Sequence, residues 1–137
     1  MSILIENGMH LVTQYQKNAM PWNQLIGTQD EVLTKEWLAQ KGFSLINQNW
    51  SCCHGEVDII ASFFDQLHFI VVTTKACAES GLPVQGITRK RMMSFKEAAQ
   101  KYIARHPRWS RVIFDVLTIS IAKEETAFIL TEDIRTD

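Results

Sequence analysis

Acidic residues in apolar surroundings are the groups of this chain best suited to chemistry. Asp58 lies inside the apolar run 57–60, two positions after Glu56. A lone carboxylate in an apolar strand is costly unless it is paired, hydrogen-bonded or bound to a metal, although an Asp at a strand end can also face solvent. Glu31 lies in the first turn of a predicted helix, where the helix dipole favours an acid. Such carboxylates can hold Mg²⁺ or Mn²⁺ for phosphodiester cleavage.

Metal-dependent cleavage also needs groups on the next strand. A nuclease of this layout carries Glu-x-Lys there, on one face of the sheet, where the acid binds the metal and the lysine offsets developing charge. Here the stretch 69–75 reads Phe-Ile-Val-Val-Thr-Thr-Lys, which places Val71 and Thr73 at those positions. Lys75 lies on the same face, about 6.6–6.8 Å beyond Thr73. It could supply the cation, but it cannot replace the acid.

Charge is divided unequally along the chain. The net charge is −1, yet residues 86–111 hold eight basic residues against one acid, and the remainder holds six basic residues against fourteen acids. This division predicts a surface that faces a polyanion, with a solvated helix face balanced by acids elsewhere as the alternative. Trp50 or Trp109 could stack on bases. The predicted nucleic-acid contacts are Arg89, Lys90, Arg91, Lys101, Arg105, Arg108 and Arg111.

Hydrophobic periodicity predicts the elements that position these residues. The spacing predicts a helix over 30–40, capped at Thr28 or Asp30 and ended by a left-handed Gly42. Strands are predicted at 43–50, 112–121 and 127–131, with a hairpin of strands at 57–64 and 67–74. A loop is predicted at 81–86, followed by a helix that starts at Thr88 and stops at His106-Pro107. The order predicts a mixed α/β domain with a central sheet.

Composition excludes several other classes. No apolar run reaches the ~18–20 residues that span a membrane, and no signal peptide is evident, so we expect a protein without a membrane partner. The odd count of three cysteines, two of them adjacent, predicts a reduced cytoplasmic protein. Cys52-Cys53-His54 has no second cluster to complete a zinc site. No Gly-rich phosphate loop occurs, so no nucleotide cofactor is expected.

An ordered series of short motifs resembles the YraN-like family of small bacterial proteins. That family is placed in the restriction-endonuclease-like, or PD-(D/E)xK, superfamily, near archaeal Holliday-junction resolvases. The resemblance covers roughly residues 27–130 and implies a central mixed sheet flanked by helices, with 27–137 as a single nuclease-like domain and 1–26 as an N-terminal extension. The motifs are Glu31, Trp37-Leu38, Gly42-Phe43, Asn49-Trp50, the run 55–60, Phe69, Gly81-x-Pro83, Lys90, Ala98-Ala99-x-x-Tyr102 and Phe114-Asp115-Val116.

The resemblance also implies roles for the acids. Glu31 and Asp58 match the family's metal-binding acids, whereas Val71 and Thr73 stand where the family has its catalytic acid and lysine. The leading hypothesis is therefore a nucleic-acid-binding protein, with DNA as the expected partner and a degenerate catalytic site. One alternative is an active Mg²⁺- or Mn²⁺-dependent endonuclease that uses Glu31, Glu56, Asp58 and Lys75. Another is a pseudo-enzyme that acts through protein contacts, including a homodimer.

Overall fold

The computed structural model describes residues 22–75, 87–121, 126–132 and residue 134. No helix among them is long and apolar enough to cross a bilayer. The predicted loop at 81–86 lies outside the described residues. The elements, in chain order, are α1 (Trp22–Leu25), α2 (Gln29–Gln40), β1 (Ser44–Cys52), β2 (Gly55–Phe63), β3 (Gln66–Lys75), α3 (Arg89–Arg105), β4 (Arg111–Ile121) and β5 (Thr126–Thr131).

The five strands form one mixed sheet in the order β1-β2-β3-β4-β5. The β1-β2, β2-β3 and β4-β5 pairs are antiparallel, and the β3-β4 pair is parallel. The parallel pair needs a crossover, and α3 lies in that connection. The predicted hairpin is confirmed as β2-β3, with its turn at Phe64-Asp65. The predicted central mixed sheet flanked by helices is confirmed.

Helices cover both faces of the sheet. On one face, Trp22, Leu25, Trp37 and Leu38 from α1 and α2 pack against apolar side chains from β2 to β5. On the other face, the apolar side of α3 packs against side chains of β2, β3 and β4. The α3 residues are Phe95, Ala98, Ala99 and Tyr102, and the strand residues are Val57, Ile60, Leu67, Phe69, Val71 and Val116. The central strands are therefore buried on both sides, which explains the nearly continuous apolar sequence of β4.

Side-chain caps fix where the two long helices begin. The Thr28 hydroxyl accepts a hydrogen bond from the Glu31 amide at 3.3 Å, and the Thr88 hydroxyl accepts one from the Arg91 amide at 3.0 Å. Each bond satisfies an amide that has no partner within its helix. Gly42 follows α2 with φ +103°, a conformation that favours glycine. These caps confirm the predicted ends of α2 and the predicted start of α3.

The hydrophobic core extends into the region predicted as an N-terminal extension. Trp22 and Leu25, both in α1, are each 1% exposed and belong to the core on the α2 face. The packed domain therefore includes α1, and a boundary at residue 26 would cut through its core. The four-residue helix is too short to show a periodic pattern in the sequence. Residues 1–21 lie outside the described residues.

Gly55 allows α3 to lie directly on β2. A Cβ at this position would lie 2.3 Å from the Ser94 carbonyl oxygen and 2.9 Å from Ala98 Cβ. The first of these atoms belongs to the helix backbone, so it cannot rotate away. The close approach holds the N-terminal half of α3 beside the start of β2, where Asp58 lies.

We expect Gly55→Ala to lower the free energy of unfolding by about 1–3 kcal/mol, the usual cost of overpacking a tight contact. Denaturant unfolding of the two proteins measures this difference. Ser51→Ala, at an exposed position of β1, is the matched control and should change stability by less than about 0.5 kcal/mol. Equal stability of Gly55→Ala and the parent would show that the helix is not held this close to the strand.

Candidate nucleic-acid interface and the Asp58 site

Asp58 is a buried carboxylate held by two donors from different elements. Its side chain is 3% exposed, and its Oδ2 atom accepts the Val72 amide of β3 at 2.8 Å. The same oxygen receives the Arg91 guanidinium of α3 at 2.5 Å, an ion pair between residues 33 positions apart. Arg91 was predicted as a nucleic-acid contact, and the structure gives it a partner inside the protein. The acid is thereby joined to both the sheet and the helix.

The strand beside Asp58 is irregular. Gln48 pairs with Ile59, and Trp50 pairs with Val57. Asn49 lies between these two pairs, opposite Asp58, but does not form a regular strand pair with it. Asn49 has φ +53°, a left-handed conformation that asparagine tolerates better than most residues. In β2, Val57 packs on the α3 face, while Ile59 packs on the α2 face. Val57 and Ile59 would share a face in a regular strand, so the alternation breaks at this point, and Asp58 meets Arg91 on the α3 side.

Burial and charge act on Asp58 in opposite directions. Burial raises the pKa of Asp58 from its ordinary 3.8 to about 6, although the Arg91 charge and the Val72 amide both lower it. The nearby Glu56 charge adds a further increase in this pKa. Because the folded-state pKa is raised, the folded protein binds the proton more tightly than the unfolded chain. The contribution of this group to stability is therefore greatest at low pH and declines as the pH rises through about 6.

We expect Asp58→Asn to stabilise the protein by about 1–2 kcal/mol at pH 8 and to leave stability near pH 4 almost unchanged. The pKa of Asp58 differs by about two units between the folded and unfolded states, which corresponds to about 3 kcal/mol at about 1.36 kcal/mol per unit. We expect a smaller gain in stability than this, because Arg91 loses its ion-pair partner. An Asn oxygen can still accept the Val72 amide. Thermal unfolding from pH 4 to 8 is the measurement, with Asp65→Asn, an exposed acid, as the control. A loss of stability at pH 8 would show that ionised Asp58 is a net stabiliser.

The Glu31 side chain has two partners at or near the start of its own helix, α2. Its Oε1 atom accepts the Gly27 amide at 2.6 Å, and its Oε2 atom pairs with Lys35 at 3.0 Å. The Gly27 amide, followed by Lys35, lowers the pKa of this carboxyl, with a smaller contribution from Gln48 of β1. The fold thus brings Glu31 to the strand that borders Asp58. Each acid, however, has separate protein partners.

The residues around Asp58 do not fit a magnesium site. A hard cation needs several oxygen ligands, and the Asp58 Oδ2 atom already accepts from both the Val72 amide and the Arg91 guanidinium. Val71 is 1% exposed and packs in the core on the α3 face, where it offers no ligand. Of the described side chains, no group of three or more His, Cys, Asp or Glu ligands includes Asp58.

The remaining predicted site residues are dispersed. Glu56 is half-buried and pairs with Ser51 across β1-β2, and Thr73 is half-buried on β3. The backbone of Lys75 pairs with Ser120 of β4, but its side chain lies outside the described residues. Two neutral oxygens, Gln48 Oε1 and Asn49 Oδ1, are buried without a hydrogen-bond partner among the described residues. Water satisfies such groups in most proteins.

Six of the seven predicted nucleic-acid contacts are exposed, on α3, in the turn after it and at the start of β4. Glu97 is an exposed acid on α3, among these cations in the sequence. We call six exposed cations the basic surface, and Arg91 is left out of this set because it pairs with Asp58. The basic surface consists of Arg89, Lys90, Lys101, Arg105, Arg108 and Arg111.

The two tryptophans considered for base stacking already have partners. The Arg108 guanidinium lies 4.4 Å from the centre of the Trp109 ring, and the Arg105 guanidinium lies 5.9 Å from that of Trp50. Trp50 also meets the edge of Tyr102, with ring centres 5.2 Å apart. Both tryptophans are half-buried, so a base could stack on either only after an arginine had moved. Phosphate contacts by the arginines need no such movement.

Comparison with known proteins identifies the family. The model of the family described as "Uncharacterised protein family UPF0102" matches residues 30–119, about two thirds of the chain. The chain belongs to this family. The matched UPF0102 segment runs from α2 through most of β4 and lies inside the range 27–130 predicted for the YraN-like family, so that family prediction is confirmed.

Individual UPF0102 relatives come from distant bacteria. The UPF0102 protein of Dictyoglomus thermophilum is 33% identical over 102 residues, which cover 74% of this chain and 86% of that relative. The UPF0102 protein of Rhodococcus opacus is 34% identical over 103 residues, covering 74% of this chain and 87% of the relative. The chain thus spans most of the length of both relatives.

The pairing of Asp58 with Arg91 was not predicted from the sequence. Arg91 is one of eight basic residues in the segment 86–111, and no local spacing distinguishes it from its neighbours. Only the packing of α3 on β2 through Gly55 shows which cation reaches the acid. The available signal was the buried acid itself, which required a partner or a metal.

Proposed function

We propose that this protein binds nucleic acid, with DNA as the polymer, through the basic surface, and that its Asp58 site does not cleave. The observation that carries the proposal is the Arg91–Asp58 ion pair together with six exposed cations. The Arg91 guanidinium binds the Asp58 carboxylate oxygen that a catalytic metal ion would need. The cations of the basic surface are exposed and can meet phosphates, which dominate the affinity of proteins for nucleic acids.

The proposed ancestry is a restriction-endonuclease-like protein related to junction resolvases. A mixed sheet with one acid on α2 and another on β2 supports this proposal, as does the position of Val71 and Thr73 on the next strand. A valine can neither bind a metal nor position water, and the loss of one electrostatic stabiliser alone typically costs about 10²–10³ in rate. The proposal is therefore a binding protein that retains a nuclease-like sheet.

The position of the ion pair gives a physical reason why the protein would bind nucleic acid without cleaving it. Arg91 lies on α3 with four of the six cations of the basic surface, so the contact that neutralises Asp58 also holds this helix on the sheet. We propose a reduced cytoplasmic location, supported by Cys52 and Cys53, which are free thiols. Mg²⁺ and Mn²⁺ are proposed to be dispensable for binding.

The test is a set of titrations of fluorescent single-stranded, duplex and branched DNA at 50 mM salt, followed by gel analysis of the same DNA after incubation with Mg²⁺ or Mn²⁺. We expect binding to at least one form and no cleavage of any form. Cleavage that Asp58→Ala abolishes would instead establish the endonuclease hypothesis. Absence of binding, with a mass in solution that falls at high salt, would favour a homodimer or another protein contact through the same charges.

A further inference from the structure

A second buried polar cluster lies on the α2 face of the sheet, away from Asp58. His68 of β3 and Asp115 of β4 are 2% and 0% exposed, and His68 Nδ1 lies 2.6 Å from Asp115 Oδ2. Both residues interrupt apolar strands, although a buried charge or imidazole is costly without compensation. The rings of Phe43 and Phe63 meet the imidazole edge-on, with centres 5.0 Å and 6.2 Å away.

Glu132 completes the cluster from the neighbouring chain segment. Thr131 pairs with Val116, and the Ile134 amide donates to the Phe114 carbonyl at 2.8 Å, so the backbone around Glu132 is fixed beside Asp115. One ligand atom each from His68, Asp115 and Glu132 lies within 4.8 Å of the others. Glu132 is exposed, which leaves the cluster one open side.

A further observation is an unsatisfied atom at this place. His68 Nε2 is buried and has no hydrogen-bond partner among the described residues. A buried acceptor or donor without a partner destabilises the folded state. The Asp115 contact uses Nδ1 and leaves Nε2 unsatisfied, so hydrogen bonding to Asp115 alone does not account for a histidine at this place.

We propose that His68, Asp115 and Glu132 bind a divalent first-row transition metal ion such as Zn²⁺. One imidazole nitrogen and two carboxylates suit these ions, and three protein ligands leave a coordination position for water. Zinc bonds of about 2.0–2.2 Å place the ligand atoms about 3.3–3.6 Å apart. His68 Nδ1 and Asp115 Oδ2, which lie 2.6 Å apart, would therefore separate by about 1 Å on binding zinc, whereas Glu132 must come closer. The exposed Glu132 side chain can rotate inward to close this gap.

The proposed site is independent of the Asp58 site. Asp58 binds the amide of Val72, four residues beyond His68 along β3, a separation of about 13 Å. The Asp58 site contacts α3, whereas His68 lies on the α2 face with Phe43. Glu132 lies beyond the segment 30–119 that the UPF0102 family model matches, whereas His68 and Asp115 lie within it.

The test is calorimetric titration of the full chain with Zn²⁺ in a background that carries Cys52→Ser, Cys53→Ser and Cys77→Ser, which removes competing thiols. We expect one equivalent of Zn²⁺ to bind and to raise the melting temperature. Glu132→Gln should weaken binding at least 10-fold, since even groups outside the metal shell affect affinity by about 10–100-fold. Because Glu132 is exposed, we expect the Glu132→Gln variant to fold as the background protein does.

Asp65→Asn, which removes an exposed acid at the hairpin turn near His68, is the control and should bind Zn²⁺ as the background does. The imidazole signals of His68, assigned by their loss in His68→Gln, should shift when Zn²⁺ is added. No saturable binding in the background would overturn the proposal. It would also be overturned if Glu132→Gln bound as tightly as the control, or if the His68 signals stayed unchanged at saturation.

Discussion

Lys90→Gln combined with Lys101→Gln should weaken duplex DNA binding about 60-fold at 0.1 M salt. The two lysines are exposed and lie eleven positions apart on α3, about three turns, so they share one side of the helix. A phosphate contact contributes about −0.9 to the slope of log K against log salt, which amounts to roughly 8-fold between 1 M and 0.1 M. Two lost contacts therefore multiply to about 60-fold.

The matched control for this variant is Lys35→Gln combined with Lys41→Gln. It removes the same charge and the same residue type from the α2 side of the sheet, where Lys35 pairs with Glu31 and Lys41 lies over Trp37. We expect its DNA affinity to fall by less than about 3-fold, through long-range charge alone. Fluorescence anisotropy titrations measure both variants. Equal losses in the two variants would mean that net charge, and not the basic surface, controls binding.

Arg91→Ala should lower the free energy of unfolding by about 3 kcal/mol at pH 8. Removing one partner of a buried ion pair typically costs about 3–5 kcal/mol, because the remaining charge is left uncompensated. The lower end applies because the Arg91 side chain is 36% exposed. Below the raised pKa of Asp58, about 6, the acid is protonated and needs no counter-charge, so the loss should become small near pH 4.

Asp58→Asn in the Arg91→Ala background distinguishes this mechanism from simple loss of packing. If the uncompensated charge is the cause, the double variant should recover most of the stability lost at pH 8. Denaturant unfolding of all four proteins at pH 4 and pH 8 completes the cycle. An equal loss at both pH values, or no recovery in the double variant, would show that Arg91 acts through its aliphatic packing.

Sequence patterns were sufficient for elements whose signals are local. Thr28 and Thr88 mark helix starts because their hydroxyls bond amides three residues ahead. The hairpin of β2 and β3 follows from two apolar runs around a short polar break. The burial of Trp22 could not be predicted in the same way, since it depends on packing against strands far along the chain.

The candidate site was predictable only in part, because its contacts are not local. The acid at position 58 signalled a special site, yet its partner, Arg91, comes from a helix brought close by Gly55. Similarly, His68 and Asp115 each interrupt an apolar run, but only the parallel register of β3 and β4 shows that they meet. Spacing along one chain does not determine which strands become neighbours.

The salt dependence of duplex DNA binding by the unmodified protein is the most direct test of the proposed function. If about four or five of the six exposed cations contact phosphates, as we propose, the slope of log K against log salt should be about −3.5 to −4.5 between 50 and 300 mM. Anisotropy titrations at five salt concentrations provide the slope. A slope near zero, or no binding at 50 mM salt, would contradict nucleic-acid binding through this surface.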